Sequence, residues 1–405
     1  MNLARNNKKR QQLIDKAVKT GVVVRVLSII ASLATVPLVM NAISLSDFSV
    51  WATITSMLSM MLFLDFGIGN SAMGKITEAL AHNNYERATR LVRHAYFVLL
   101  SISLILIFFV VTMHTAGLLE AVALNTGSFL KSHISLVAGF LICYAFAIPA
   151  TFIQRLLFAH QQAGLSAVLQ FVFSLAYLCL TIIFSWAKLN LEVFVLSYVI
   201  LLVAVYGGYS WYFLSKNYPT LQILGEINRS IVISLLKGAG LFFLLQITVS
   251  IVYNSDTLIL TAISTQDEVA MYAIAWRMFS LVMMVNGLIL GPMWPAITDA
   301  KAKNDWFWIK KAYFFNRKRS FFVSISLAAL LSVFGNTLLR YWTGGRIEAP
   351  LILMIFMGVW VVLEGYGQCM AMLLNGLQVL RLQIISAVLL LCLGTLFKLY
   401  LTTYV

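Results

Sequence analysis

Eleven apolar runs follow one another along the chain, near 20–44, 48–72, 95–117, 134–154, 165–187, 193–215, 237–263, 269–293, 320–339, 350–374 and 382–404. Each is long enough to cross a bilayer, since a membrane-spanning helix takes roughly 20 apolar residues. The breaks between them are short. With 61% of the 405 residues hydrophobic and only 11% charged, no stretch remains for a separate soluble catalytic domain. The sequence therefore reads as an all-α, polytopic integral membrane protein with about 11 transmembrane helices.

The charge balance sets the sides. A net charge of +14 would suggest nucleic acid if the basic residues shared a folded polar surface, but here they lie between apolar runs. With a cytoplasmic N-terminus, 22 Lys and Arg fall on inner segments and 5 on outer ones (Lys131, Lys188, Arg340, Arg346 and Lys398). That bias fixes the expected orientation, and eleven spans then carry the C-terminus to the outer side. The basic start Arg5-Lys8-Lys9-Arg10 leads into a polar stretch and a full-length span without a small-residue cleavage site, unlike a secretory signal. The inner segments 73–94 and 294–319 are long and basic, and Ala88, Leu91 and Val92 share one helical face. A helix lying on the inner interface is expected there.

Cysteine and histidine offer no metal site. Cys143, Cys179, Cys369 and Cys392 all lie in apolar stretches without CxxC or Cys/His spacing, and the five histidines are scattered. No cofactor is expected.

The chain repeats itself at a spacing of 217 to 223. Ala42-Ile43-Ser44 is answered by Ala262-Ile263-Ser264, Arg93-His94-Ala95-Tyr96 by Lys310-Lys311-Ala312-Tyr313, and Ser101-Ile102-Ser103-Leu104 by Ser324-Ile325-Ser326-Leu327. Leu156-Leu157 with Gln161 is answered by Leu373-Leu374 with Gln378. The shared order points to a duplicated six-helix unit, and an even count per unit makes the halves parallel. An N-terminal lobe over 1–220 (helices 1–6) and a C-terminal lobe over 221–405 (helices 7–11) follow. Helix 6 has no partner in the second lobe.

Five ionisable residues lie within the runs: Arg25, Asp65, Asp256, Arg277 and Glu364. Buried charge in a membrane is costly and usually faces an internal cavity or a partner. Arg25 shares a face with Ser28, Ser32 and Thr35; Arg277 with Ser280, Gly287 and Gly291; Glu364 with Gln368, Ala371 and Asn375. Helix 5 adds Ser166, Gln170, Ser174, Tyr177 and Thr181 at helical spacing. Structural readings stand beside these. Arg25 lies close enough to the inner boundary to snorkel, Asp65 could cap or pair with a loop arginine, and Asp256 sits near the outer end of its helix. Glu364, near mid-depth, suits a carboxyl that exchanges a proton or binds a cation, with Asp65 and Asp256 as further coupling candidates. Gly67-Ile68-Gly69 lacks the strand and third glycine of a dinucleotide loop and instead suits a bend. Pro37, Pro149, Pro292 and Pro295 would kink helices 1, 4 and 8.

Leu45-Ser46-Asp47-Phe48-Ser49-Val50-Trp51 followed by Leu64-Asp65-Phe66-Gly67-Ile68-Gly69-Asn70 resembles the helix 1–2 region of the Wzx-type O-antigen and polysaccharide flippases. These belong to the multidrug/oligosaccharidyl-lipid/polysaccharide (MOP) exporter superfamily. Ser255-Asp256-Thr257-Leu258, Tyr272-Ala273 and the run from Gly287 to Pro295 look like the matching second-half region. The resemblance covers the chain in helix order and loop lengths. It implies a two-lobed alternating-access transporter, normally of twelve helices, that moves an undecaprenyl-pyrophosphate-linked oligosaccharide from the inner to the outer leaflet of a bacterial inner membrane. Its implied partners are that lipid-linked glycan, membrane lipids, a polysaccharide polymerase and a chain-length regulator, with no nucleic acid. Lipid II flippases similarly place arginines on helices 1 and 8, where Arg25 and Arg277 fall. With Ser28, Ser32 and Ser280 these are the expected pyrophosphate and cavity residues.

Three rival functions differ in what they require. A drug/cation antiporter would want carboxylates in a lobe cavity, whereas helix 1 here carries Arg25 and no acid. A membrane polymerase or acyltransferase would need a large outer loop or an intramembrane His pair. A scaffold leaves charges in five helices unexplained.

Overall fold

The computed structural model describes residues 21, 23–32, 34–44, 47–48, 50–51, 54–55, 64–119, 133–222, 225–263, 265–343 and 348–404. Hydrocarbon supplies no hydrogen bonds, so every backbone amide in it must be satisfied within the segment. Among the described residues ten helices are long and apolar enough to cross a membrane, and they coincide with ten of the eleven apolar runs. The remaining run, 48–72, is described only in part: Phe48, Val50, Trp51, Ile54 and Thr55 near its start are helical, and 64–72 form a turn and the first residues of the next helix. Large side chains such as Leu104, Ile105 and Phe108 are exposed on one helix face. A soluble protein would not tolerate such a continuous apolar surface, which suits lipid.

The described residues form two compact units, one reaching to Gly240 and one starting at Leu241. In the first, α1 (Val23–Ala42) is followed by α2 (Ile68–Ala81), α3 (Tyr85–Thr115), α4 (Ile134–Thr151), α5 (Ile153–Ala159), α6 (Ala163–Trp186) and α7 (Leu191–Asn217). Helix α4 packs against α3 and α7. Pro149 lies inside α4, and the axis breaks at Phe152 before α5 resumes it. The opening turns of α8 (Arg229–Ile263) belong to this unit, because the Ser71 hydroxyl donates to the Leu235 carbonyl (3.0 Å) and Lys75 Nζ donates to Ser234 Oγ (2.7 Å). The units therefore divide inside a helix.

The second unit continues α8 and adds α9 (Gln266–Leu290), α10 (Met293–Ala302), α11 (Trp306–Thr343), α12 (Leu351–Gly376) and α13 (Leu380–Tyr404). Thr265 and Glu268 form a reciprocal capping box that starts α9, and Pro292 separates α9 from α10. Helices α9, α11 and α12 enclose a core built on Phe279, Val282, Leu339, Met354 and Val361.

Two expectations need correction. The segment Tyr85–Arg93 is no separate surface helix: it forms the first turns of the 31-residue α3, with Ala88, Leu91 and Val92 buried. Residues 294–319 likewise divide between α10 and the start of the 38-residue α11. The apolar face of 85–93 finds protein to cover it, so the helix has no reason to break and lie flat.

The internal repeat recurs in helix endings. Asn83 (φ 56°) and Asn304 (φ 58°), 221 residues apart, both adopt the left-handed conformation just past a helix. The next amide then reaches back five residues in each case, Asn84 N–H to the Ala79 carbonyl and Asp305 N–H to the Ala300 carbonyl, both at 2.9 Å. Asn84 then caps α3 through the Arg87 amide (2.9 Å), and Asp305 caps α11 through the Trp308 amide (3.1 Å). Gln161 (φ 59°) and Gln378 (φ 57°) end α5 and α12 in the same way, 217 apart. Thr77 donates to the Ala159 carbonyl (3.5 Å) and Thr298 to that of Gly376 (3.0 Å), joining corresponding helix ends. The pairings of 93–96 with 310–313 and 101–104 with 324–327 stand at offsets of 217 and 223, on either side of the 221 of these helix ends.

Candidate functional site: a polar and aromatic cavity in the first unit

A cavity of about 420 Å³ opens within the first unit, lined from α1, α4, α5, α6, α7 and the turn before α2. The turn sets one end. Phe66 (φ 48°) and Gly67 (φ 79°) are both left-handed, and Asp65 closes the bend by accepting the Gly67 amide on Oδ1 (2.8 Å) and the Gly69 amide on Oδ2 (3.1 Å). Gly69 must lack a side chain, because a Cβ there would lie 2.7 Å from Asp65 Oδ2 and 3.0 Å from Arg155 Cγ. Asp65 and Arg155 thus face one another across a glycine. The carboxylate is within electrostatic reach of the guanidinium, and both reach the cavity.

Aromatic rings make the wall. Phe173 and Tyr177, four residues apart on α6, stack at 6.4 Å; Tyr198 of α7 meets them edge-on at 5.0 and 4.9 Å; Tyr206 lies 6.1 Å from Phe173. Their polar tips are held. The Tyr177 hydroxyl donates to the Phe194 carbonyl (3.0 Å) and receives Trp51 Nε1 (3.5 Å), and Tyr206 bonds the Gln154 side chain. Buried phenols need such partners, and satisfied ones hold the rings in place. Between the rings stand uncharged polar groups: Ser32, Thr35, Thr55, Gln170 and Ser174.

The second unit holds a different arrangement. Asn286 donates to Ser324 (2.6 Å) and accepts from Ser320 (2.8 Å), a buried trio beside Gly365, where a Cβ would meet Ser324 Oγ at 2.6 Å. A second cavity, about 370 Å³, is lined mainly by Ile259, Leu260, Trp276, Leu353, Phe356 and Trp360. Its polar corner is Asp256, which pairs with Lys398 (2.5 Å) and accepts the Tyr272 hydroxyl (3.1 Å).

With this geometry in hand, the comparison with known proteins is decisive at one point: the profile of the polysaccharide biosynthesis protein family matches residues 18–301. The chain belongs to that family. Among the family's curated relatives, a Yersinia pseudotuberculosis protein assigned to O-antigen export is 20% identical over 368 residues, covering 88% of this chain and 82% of that one. One from Salmonella typhimurium strain LT2, assigned to O-antigen transport, is 21% identical over 281 residues, or 68% and 63%. An outward-facing MATE transporter of the MOP superfamily superimposes with a TM-score of 0.77 at 16% identity, covering 95% of this chain and 86% of that one. The all-α fold of many membrane-spanning helices read from the sequence is the one this family member has, and it is shared with that MATE transporter.

Within this family member, the residues singled out from sequence disperse. Ser32 and Asp65 line the first cavity. Arg25 is half-buried on α1, with its charge reaching Tyr206 at the cavity wall. Ser28 is buried and donates to its own helix at Val24 (2.9 Å). Arg277 is exposed on the face of α9 opposite Ala275, Met278 and Phe279, and Ser280 donates to the Arg277 carbonyl (2.7 Å). Asp256 belongs to the Lys398 pair, and Glu364 is half-buried on α12 next to Gly365. Sequence reasoning missed Arg155, counted among the inner-loop basic residues because the apolar run ends at 154. It also missed Tyr198, Leu202 and Tyr206, whose spacing of four places one row of α7 on the cavity.

Proposed function

We propose that the protein is a flippase that carries an undecaprenyl-pyrophosphate-linked oligosaccharide, an O-antigen or related repeat unit, from the inner to the outer leaflet of a bacterial inner membrane. The observation that carries this reading is a cavity inside a membrane-spanning unit that combines a half-buried arginine, Arg155, with aromatic faces and uncharged hydroxyl and amide groups. A lipid-linked glycan has corresponding parts. Its diphosphate is a multiply charged anion that needs cationic donors, for which Arg25 and Arg277 are assigned, since guanidinium supplies permanent charge and a planar fork. Its sugars need polar, uncharged walls, and its isoprenoid tail stays in lipid. Alternating access moves the headgroup while Glu364, Asp65 and Asp256 are the coupling candidates. The N-terminus lies on the cytoplasmic side and residue 405 on the outer side.

The test is genetic and chemical. Deleting the gene should remove surface glycan and accumulate lipid-linked repeat units on the inner leaflet, and the intact chain should restore export. Normal surface glycan in the deletion strain, together with counterflow of a labelled organic cation in vesicles, would replace this reading with that of a drug/cation antiporter.

A further inference from the structure

We infer that the first-unit cavity is a saccharide subsite that takes a single pyranose ring of the transported glycan, read by the faces of Phe173, Tyr198 and Tyr206 and by the Arg155 fork. This rests on the glycan-transport reading above and names which part of the substrate the cavity receives. The size is the first argument. About 420 Å³ lies at the small end of the roughly 300–1,000 Å³ of small-molecule sites, so it suits a sugar ring and not a whole repeat unit with its diphosphate.

The chemistry of the lining is the second. A pyranose presents C–H-rich faces and a rim of hydroxyls, and needs apolar ring faces and hydrogen-bonding groups together. Here the T-shaped contacts of Tyr198 with Phe173 and Tyr177 fix the rings from behind, while Gln170 and Ser174 line the same space. A lipid tail gains nothing from that polar rim, because a buried polar group left without a partner costs free energy. An organic cation would meet Arg155, and the carboxylate that would attract it is engaged on both oxygens by the Gly67 and Gly69 amides. A diphosphate would find only one guanidinium among the lining residues. Arg155, held close to Asp65 across Gly69, can instead donate two parallel hydrogen bonds to vicinal hydroxyls.

Saturation-transfer NMR on the full chain in nanodiscs tests the idea, with methyl glycosides of each sugar in the host's surface polysaccharide as probes. At least one glycoside should receive magnetisation from the protein. Its apparent Kd should rise about tenfold in Tyr198→Leu and stay near the parent's in Tyr198→Phe, because the ring and not the hydroxyl does the stacking. Ser32→Trp, which fills the cavity from α1 without touching the aromatic wall, should abolish the signal in a folded protein. If no glycoside binds while the same chain exports glycan in cells, the subsite is wrong and the transport reading survives. Binding that Ser32→Trp leaves intact would also overturn it. Glycoside binding that Ser32→Trp abolishes, in a chain that fails to support export, would keep the subsite and overturn the transport reading.

Discussion

His160 Nε2 lies 2.8 Å from the Tyr218 hydroxyl, with the imidazole also edge-on to Phe213, at the junction where α5 ends and the segment after α7 begins. Burial pushes the imidazole pKa down from the usual 6.5 to about 4. The folded chain therefore refuses a proton that the unfolded chain accepts between those values. Stability is full above about pH 6.5 and falls as the pH drops toward 4, by up to about 1.4 kcal/mol per pH unit and about 3 kcal/mol in all. Thermal unfolding midpoints in detergent at pH 4.5, 5.5 and 7.5 should show this slope, and His160→Gln should flatten it. Equal slopes in the two proteins would place the acid sensitivity elsewhere.

The Asp256–Lys398 pair joins α8 to the last helix at the corner of the second-unit cavity. Both side chains are about 30% exposed, so the pair belongs nearer the surface class than the buried one. Lys398→Met should cost about 1 kcal/mol. Adding Asp256→Asn to it should cost less than the two single changes together, because the carboxylate no longer lacks its partner. A thermal-shift double-mutant cycle measures this, and strict additivity would mean that the pair contributes nothing.

Gly69→Ala puts a methyl group where Asp65 Oδ2 and Arg155 Cγ already stand, at 2.7 and 3.0 Å. Overpacking of this kind costs about 1–3 kcal/mol. The glycan-export phenotype should suffer more than protein abundance does, because the displaced atoms belong to the cavity. Loss of both in proportion would indicate a folding defect alone.

Arg155 and Arg277 should separate in a complementation assay. Arg155→Met and Arg277→Ala should each lower surface glycan at normal abundance, since losing a charge-assisted hydrogen bond costs on the order of 1.5–3 kcal/mol. Arg155→Lys should recover little, because a lysine lacks the planar fork, whereas Arg277→Lys should recover part if the exposed guanidinium acts mainly as charge. Full export by either truncated variant would remove that arginine from the substrate path.

What the sequence made legible follows from periodicity. Spacing of three and four on α1 and α6 placed Ser32, Thr35, Gln170, Ser174 and Tyr177 on inward faces, and all of them line the cavity. The left-handed Asn83 and Asn304 sit at equal offsets that a repeat search can find once helix ends are known. Other features had no such signal. Tyr198 and Tyr206 count as apolar in a helix that is hydrophobic all round, so α7 offers no contrast between faces. Arg155 lies beyond Pro149, after the apolar run has ended; α5 continues α4 past Phe152, and the arginine on it lines the cavity. Its approach to Asp65 joins residues 90 positions apart, and no local pattern encodes that.

At 38 residues, α11 is roughly 57 Å long, nearly twice the roughly 30 Å of the hydrocarbon it crosses. The end that carries Lys310, Lys311, Arg317, Lys318 and Arg319 also buries Trp308, Ile309, Ala312 and Tyr313 against the protein. A stiff rod of that length behaves as a lever arm: a tilt of about 10° about its opposite end sweeps the tip through roughly 10 Å. The exposed Phe307 at that tip is therefore where a soluble reagent would register, magnified, a rocking too slight to see inside the membrane.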